Sequence, residues 1–133
     1  MALEAEFQFA VDEFPSNEEL AALWALTWPF PATQDFQGSL RSCLLHITAR
    51  RNGQLAGFVK VASDGGMHAF LLDPTVHPDF SRRGLGTELV KRAVQAAAER
   101  GAHWLHVDFE PALKPFYDAC GFAPTDAGLK RLS

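Results

Sequence analysis

The sequence predicts a single α/β domain, and three observations support this fold class. The chain has 133 residues, which is the size of one domain and large enough to bury roughly two-thirds of the surface that its unfolded chain exposes. Strand-like runs separated by turns predict an antiparallel meander over residues 44–76. The segment that follows carries apolar residues at helical spacing, so it predicts an amphipathic helix with one buried face.

The first third of the chain predicts a strand and then a capped helix. Residues 5–11 alternate like a half-buried strand, with three apolar side chains on one side: Phe7, Phe9 and Val11. Ser16 and Glu19 form a capping box, because each side chain can bond the backbone N–H of the other residue. The helix that follows carries four side chains on one face: Leu20, Leu23, Trp24 and Thr27. Trp28-Pro29 should end this helix, and the sequence leaves residues 32–42 unassigned.

The meander is predicted from two turns. Residues 44–51 and 54–62 read as strands, and Asn52-Gly53 between them favours a tight hairpin because both residues accept a positive φ. A second turn at residues 63–66 leads into a third strand over residues 67–76.

The second half of the chain predicts a long helix and then shorter elements. The long helix begins near Gly86 and has five apolar side chains on its predicted buried face: Leu89, Val90, Ala93, Val94 and Ala97. Arg100-Gly101 should end it. Residues 103–109 read as a strand and residues 111–119 as a helix, and a short hairpin is expected around residues 126–128.

Composition narrows the function class. The formal net charge is −4, from 16 acidic and 12 basic residues, which argues against general nucleic-acid binding. Cys43 and Cys120 are the two cysteines, and their separation predicts neither a disulfide framework nor a thiolate metal site. The sequence shows no leader pattern and no apolar run of roughly 18 residues. We therefore expect a cytoplasmic protein that binds neither a membrane nor a metal.

Residues 71–90 run from an apolar strand through a polar loop into the long helix. The loop contains Arg82, Arg83, Gly84 and Gly86. Glycines let the backbone approach a ligand closely, and the first N–H groups of a helix have no partner within the helix. This pattern therefore predicts a phosphate-binding helix start.

Two common phosphate motifs are excluded by their spacing. A dinucleotide-binding fingerprint requires a third Gly or Ala where Leu89 stands, and a P-loop requires Gly-Lys-Ser/Thr. The combination of Val76-x-Pro78, the glycine loop and the segment Phe116-Tyr117-Asp118-Ala119-Cys120-Gly121-Phe122 resembles the GCN5-related N-acetyltransferase (GNAT) family. The resemblance covers about residues 44–122.

The resemblance implies a single domain over residues 1–133. Its α/β fold would have a mixed, mostly antiparallel sheet with a V-shaped splay between two central strands, flanked by about four helices. The function implied is transfer of an acetyl group from acetyl-CoA to a primary amine by direct attack in a ternary complex. Backbone N–H groups of the strand over residues 67–76 would stabilise the oxyanion. The resemblance also allows a homodimer, and the partner would be a small-molecule or peptide amine.

The resemblance assigns acetyl-CoA binding to the glycine loop and the strand before it. The residues carried over are Val76, Arg82, Arg83, Gly84, Leu85, Gly86 and Thr87. Val76 would bond the pantetheine arm through its backbone, and the others would hold the pyrophosphate. Ser81 departs from the family pattern, which has Gln or Arg at that position.

Tyr117 and Glu110 are the residues to which the resemblance gives chemistry. Tyr117 stands where many members place a general acid, and a phenol with a pKa near 10 is protonated at neutral pH, so it can donate to a departing thiolate. Glu110 is the first candidate for the base; alternatively, it only interacts with a helix N-terminus. Because Ser81 and Glu110 both depart from the family pattern, a non-catalytic acyl-CoA-binding or sensing module is the alternative function.

Overall fold

The fold is an open sheet with helices on both faces, seen in a computed structural model that describes residues 2–33 and 35–133. Within these residues the sheet has five strands in chain order. Their bounds are β1 Gln8–Val11, β2 Leu45–Arg51, β3 Gln54–Ser63, β4 His68–Val76 and β5 Trp104–His106. The first four pair antiparallel and β5 pairs parallel to β4, which confirms the mixed, mostly antiparallel sheet.

Five α-helices occur in the described residues, in keeping with the expected number of about four. Their bounds are α1 Ala2–Glu6, α2 Asn17–Thr27, α3 Phe36–Arg41, α4 Leu85–Glu99 and α5 Lys114–Ala119. Two 3₁₀ turns, Pro78–Phe80 and Pro111–Leu113, precede α4 and α5. The capping box at the start of α2 is present with both of its hydrogen bonds, and Asn52 and Gly53 both have positive φ in the predicted hairpin.

Two hydrophobic clusters cover the two faces of the sheet. The larger cluster joins α4 to the inner face of β2, β3 and β4, around fully buried side chains such as Ile47, Val59 and Leu89. The smaller cluster places α2 and α3 against β3, through contacts that include Leu20, Phe36 and Phe58. The sheet therefore separates a face covered by α4 and α5 from a face covered by α2 and α3.

β4 and β5, the last two strands of the sheet order, separate after a short paired stretch. Residues His68, Ala69 and Phe70 of β4 pair with Trp104, Leu105 and His106 of β5, and β5 ends there. β4 continues to Val76 while still pairing with β3 on its other side. From Leu71 to Val76, β4 therefore presents an edge that β5 does not pair, and this is the predicted V-shaped splay.

The structure corrects the predictions for the N-terminal segment. Residues 5–11 do not form one strand, because α1 occupies Ala2–Glu6 and the strand begins at Gln8. Val11 is 49% exposed whereas Phe7 is buried. Apolar residues alternate along this segment of the sequence. However, β1 is an edge strand of the sheet, so other residues cover only part of its apolar surface.

Three further predictions are corrected in the second half of the chain. Val94 is 40% exposed, and Ala96 takes its place on the buried face of α4. Strand pairing stops at His106 rather than Phe109, because the chain diverges from β4. The hairpin expected around residues 126–128 is wrong, because the tail after Phe122 is exposed and has no regular structure.

Candidate active site

The loop between β4 and α4 has the backbone geometry of an anion site. Arg82 has a φ of 62° and Gly84 a φ of 83°, so the chain turns sharply before α4 begins at Leu85. Gly84 is the residue that caps α4, and it offers no side-chain acceptor to the first N–H groups of that helix. These groups remain available to an external anion, and the helix dipole favours negative charge there.

A cleft of about 280 Å³ lies at this helix start. It brings together all but one of the cofactor-binding residues assigned from the sequence, with three additions: Phe80, Ser81 and Phe116. Arg83 is the residue that does not line it. The Arg83 guanidinium instead forms an ion pair with Glu6 of α1 and lies 5.6 Å from the ring centre of Phe7. Arg82 is therefore the cationic side chain of the cleft wall.

The absence of a side chain at Gly86 suits a ligand that approaches the backbone closely. A Cβ added at Gly86 would lie 3.6 Å from the ring of Phe116 and 3.6 Å from a methyl group of Val76. Both neighbours line the cleft, so the missing side chain is what keeps the space between them open. This fits a phosphate-bearing ligand held by backbone N–H groups at the start of α4.

Tyr117 lies in the aromatic cluster beside the splay. Its side chain is 4% exposed, and its ring stacks on Phe109 at a centroid distance of 4.6 Å. Phe116 and Phe122 contact the same ring edge-on, at 4.9 and 5.8 Å. Burial is the main cause that raises the pKa of Tyr117 to about 12, and Cys120, Asp108 and Asp73 add smaller contributions. The phenol is therefore protonated throughout the physiological pH range.

Carboxylates approach Tyr117 from both arms of the splay. Asp73 belongs to β4 and Asp108 follows β5, and both are close enough to disfavour the phenolate. Asp73 forms an ion pair with Lys60, at 3.2 Å. Glu110, the predicted base, is exposed and precedes the 3₁₀ turn at Pro111–Leu113 without a side-chain capping bond. Its carboxylate is therefore available to a ligand from solvent.

Sequence patterns did not indicate that Phe80 and Phe116 line the cleft, or that β4 is distorted. Asp73 has a φ of 53°, and pairing with β3 shifts beside it. A proline inside a strand pattern is typical of a bulge, so Asp73-Pro74 was the signal that could have found it. Phe80 and Phe116 gave no such signal, because an apolar residue in a short turn is usually a packing residue.

The described residues contain no cluster of three or more His, Cys, Asp and Glu side chains arranged to hold a metal ion. None of the helices described between residues 2 and 133 is long and apolar enough to span a membrane.

Comparisons with known proteins agree with this geometry. The model of the Acetyltransferase (GNAT) family matches residues 6–122. The chain is 32% identical over 79 residues to the uncharacterized N-acetyltransferase ycf52 of Pyropia yezoensis, a match that covers 59% of this chain and 45% of that relative. The matched part thus spans about half or less of the length of the first curated relatives.

Solved structures show the same fold over nearly the whole chain. A GNAT-family acetyltransferase from Streptococcus pneumoniae TIGR4 superposes with a TM-score of 0.76 at 22% identity, covering 96% of this chain and 98% of that chain. An aminoglycoside N-acetyltransferase solved in complex with CoA has a TM-score of 0.75 at 18% identity, covering 96% of this chain and 94% of that chain. At such identities these two likenesses show the fold alone.

Proposed function

The chain belongs to the acetyltransferase (GNAT) family, and from this premise we propose that it is an N-acetyltransferase. It would transfer an acetyl group from acetyl-CoA to a primary amine by direct attack in a ternary complex. The observation that carries the proposal is the cleft at the start of α4, which begins where the unpaired edge of β4 ends. Val76, the last residue of that edge, also lines the cleft, so the anion site and the unpaired strand edge adjoin at this residue.

The cleft supports binding of acetyl-CoA in an extended form. The first N–H groups of α4, together with Arg82, would hold the pyrophosphate. The backbone of Val76 would bond the pantetheine arm, because this residue lines the cleft and lies on the strand edge that β5 leaves unpaired. Gly86 would let the pyrophosphate lie against the helix start without meeting a side chain.

Two residues would handle the protons. Acetyl-CoA, when bound, supplies a thioester whose carbonyl carbon is the electrophile. A protonated amine has no free electron pair, so Glu110 would accept its proton, either directly or through water. Tyr117 would hold a proton for the departing sulfur, and its raised pKa of about 12 keeps that proton in place before the reaction.

The acceptor is a primary amine on a small molecule or a peptide. The formal net charge of −4 favours a cationic acceptor over an anionic one. Asp108 and Glu110, both exposed, would add to that preference if the acceptor enters on their side of the splay.

The test is amine-stimulated release of CoA from acetyl-CoA, followed with a thiol reagent across a panel of polyamines, aminoglycosides, amino-acid amides and peptides. We expect at least one amine to stimulate release, and we expect Gly86→Asp to abolish acetyl-CoA binding in calorimetry. Glu110→Gln should lower turnover most at low pH, where the amine needs a base. Tight acetyl-CoA binding without release by any amine would instead indicate the acyl-CoA-binding module.

A further inference from the structure

The bulge in β4 is built from an unusual backbone conformation. Phe58 pairs with Thr75, and Lys60 pairs with Leu72, so β4 has one more residue than β3 between these two pairs. Asp73 lies in this stretch with a φ of 53°, a left-handed conformation that is uncommon for any residue except glycine. A strained residue of this kind persists only where its surroundings hold it.

The extra residue changes which backbone groups of β4 face the splay. Phe58 and Lys60 are two positions apart and so lie on one face, and their partners Thr75 and Leu72 share that face although they are three positions apart. The His77 N–H donates to the Ala56 carbonyl of β3. The backbone groups of the preceding residue, Val76, therefore point away from β3 and into the splay.

A chain of hydrogen bonds holds the bulge from the α2 side. The Trp28 indole N–H donates to the Thr75 hydroxyl at 3.0 Å, and that hydroxyl donates to the Asp73 carbonyl at 2.8 Å. Thr75 is 2% exposed, so both bonds depend little on solvent. The Lys60 ammonium contacts the Asp73 carboxylate at 3.2 Å and donates to the Ser39 hydroxyl at 3.1 Å. The residue with the strained φ is thus held through both its carbonyl and its side chain.

Trp28 lies 47 positions from Thr75 in the sequence and ends α2. Its ring also packs against the rings of Trp24 and Phe30, at centroid distances of 5.4 and 6.3 Å. One side-chain hydrogen bond therefore joins the end of α2 to Thr75, near the C-terminal end of the unpaired stretch of β4.

We propose that Trp28 and Thr75 are positioning residues for acetyl transfer, because they fix the bulge at Asp73 and thereby aim the backbone amides of β4 at the thioester. The inference rests on the proposed function. Neither side chain needs to touch the reacting atoms. Their role is to prevent the bulge from relaxing to regular pairing, which would shift the register of β4 and move the backbone groups that face the splay.

Four variants separate this role from packing. Trp28→Phe removes the indole donor and retains an aromatic ring, and Thr75→Val removes the hydroxyl and retains the shape. Thr75→Ser restores the hydroxyl in a smaller side chain. Trp24→Phe is the matched control, because the Trp24 indole donates at the same 3.0 Å distance but to the Phe30 carbonyl, outside β4.

The first measurement is the carbonyl ¹³C chemical shift of acetyl-CoA labelled at the thioester carbon, bound to each protein. We expect the wild type and Trp24→Phe to displace this signal equally from its position in free acetyl-CoA. Trp28→Phe and Thr75→Val should return it towards the free position, and Thr75→Ser should recover most of the displacement. The acetyl-CoA Kd, set mainly at the start of α4, should stay within a few-fold of the wild type in all four.

The second measurement is turnover with an amine that the wild type accepts. Misplacement of a reacting group by about 1 Å can cost 10²-fold, so Trp28→Phe and Thr75→Val should lower kcat by about 10- to 10²-fold with little change in the KM for acetyl-CoA. Equal carbonyl shifts and equal kcat in all variants would overturn the inference and leave the proposed function intact. Failure of the wild type to bind acetyl-CoA would overturn both.

Discussion

Gly86→Ala should change the stability of the protein and its affinity for acetyl-CoA in opposite directions. Gly86 is the second residue of α4, and its φ is not in the left-handed region, so alanine can adopt the same backbone conformation. The added Cβ would have its nearest neighbours, in Phe116 and Val76, at 3.6 Å, which is an ordinary van der Waals distance. The folded protein should therefore accept the methyl group without displacement.

The gain in stability can be estimated from the unfolded chain. Replacing glycine by alanine at a compatible site stabilises by about 0.4–1 kcal/mol, chiefly because the unfolded chain loses freedom. An unfolding entropy of about 2.1 cal/mol/K per residue gives about 0.28 kcal/mol/K for 133 residues. The Tm should therefore rise by about 1–4 °C.

The loss in affinity follows from the same methyl group. It fills the gap between Val76 and Phe116, where the pyrophosphate would approach the first N–H groups of α4. Loss of even one charge-assisted hydrogen bond, about 1.5–3 kcal/mol, weakens binding by about tenfold or more. Calorimetry with acetyl-CoA measures the affinity, and a thermal melt of the same protein preparation measures the Tm.

Gly128→Ala is the control for this variant. A Cβ at Gly128 would meet nothing within 4 Å, and the residue lies in the exposed tail. This change should leave both the affinity and the Tm unaltered. If Gly86→Ala bound acetyl-CoA with native affinity while its Tm rose, the pyrophosphate could not lie at this helix start, and the cleft assignment would be wrong.

The remaining predictions concern the acid, its pH range and the acid stability of the fold. Tyr117→Phe should leave acetyl-CoA affinity unchanged and lower turnover by about 10²–10⁴, the usual range for a positioned acid; unchanged turnover would remove Tyr117 from the mechanism. Burial raises the pKa of Tyr117 to about 12, so this phenol stays protonated up to about pH 10. Below that pH, the turnover of the wild type should therefore show no decrease that is absent from the Tyr117→Phe variant. At the other end of the pH scale, the hydrogen bond from Arg50 lowers the pKa of Glu19 from its ordinary 4.5 to about 2, and it also lowers that of Glu13. Their stabilising contribution is complete above about pH 4.5 and is lost as the pH falls towards 2, so the urea midpoint should fall across that window, and Arg50→Met should flatten the fall.

Sequence patterns predicted best where one local interaction decides the conformation. The hairpin at Asn52-Gly53 and the capping box at Ser16 depend on a few neighbouring residues, and both are present. The glycine loop also depends on local backbone geometry, and its residues other than Arg83 line one cleft.

The strand prediction that failed depended on contacts between distant segments. Residues 107–109 have the alternation of a strand, but whether they pair is decided by how far β4 has diverged from them. The ion pair between Arg83 and Glu6, 77 positions away, is another contact between distant segments that the sequence did not indicate. The role of Arg83 as a phosphate ligand stays a prediction. The periodicity of a sequence does not indicate which distant segments will contact each other. The bond from Trp28 to Thr75 was invisible to the sequence for the same reason.

The aromatic cluster at α5 explains why phenylalanine is the informative substitution at Tyr117. Where β4 and β5 diverge, strand hydrogen bonds no longer hold the two arms, and the stacked rings of Phe109 and Tyr117 occupy that side of the sheet. Phe116, the preceding residue of α5, contacts Tyr117 edge-on and also lines the cleft beside Gly86. The wall of the anion site and the proposed acid are therefore consecutive residues of one short helix. A smaller side chain at Tyr117 would leave a cavity of the kind that costs about 3–5 kcal/mol when a buried aromatic is truncated, and it would displace Phe116 as well, so affinity and turnover would fall together for reasons unrelated to proton transfer. Phenylalanine retains the ring and its stacking, and removes only the hydroxyl whose proton the mechanism requires.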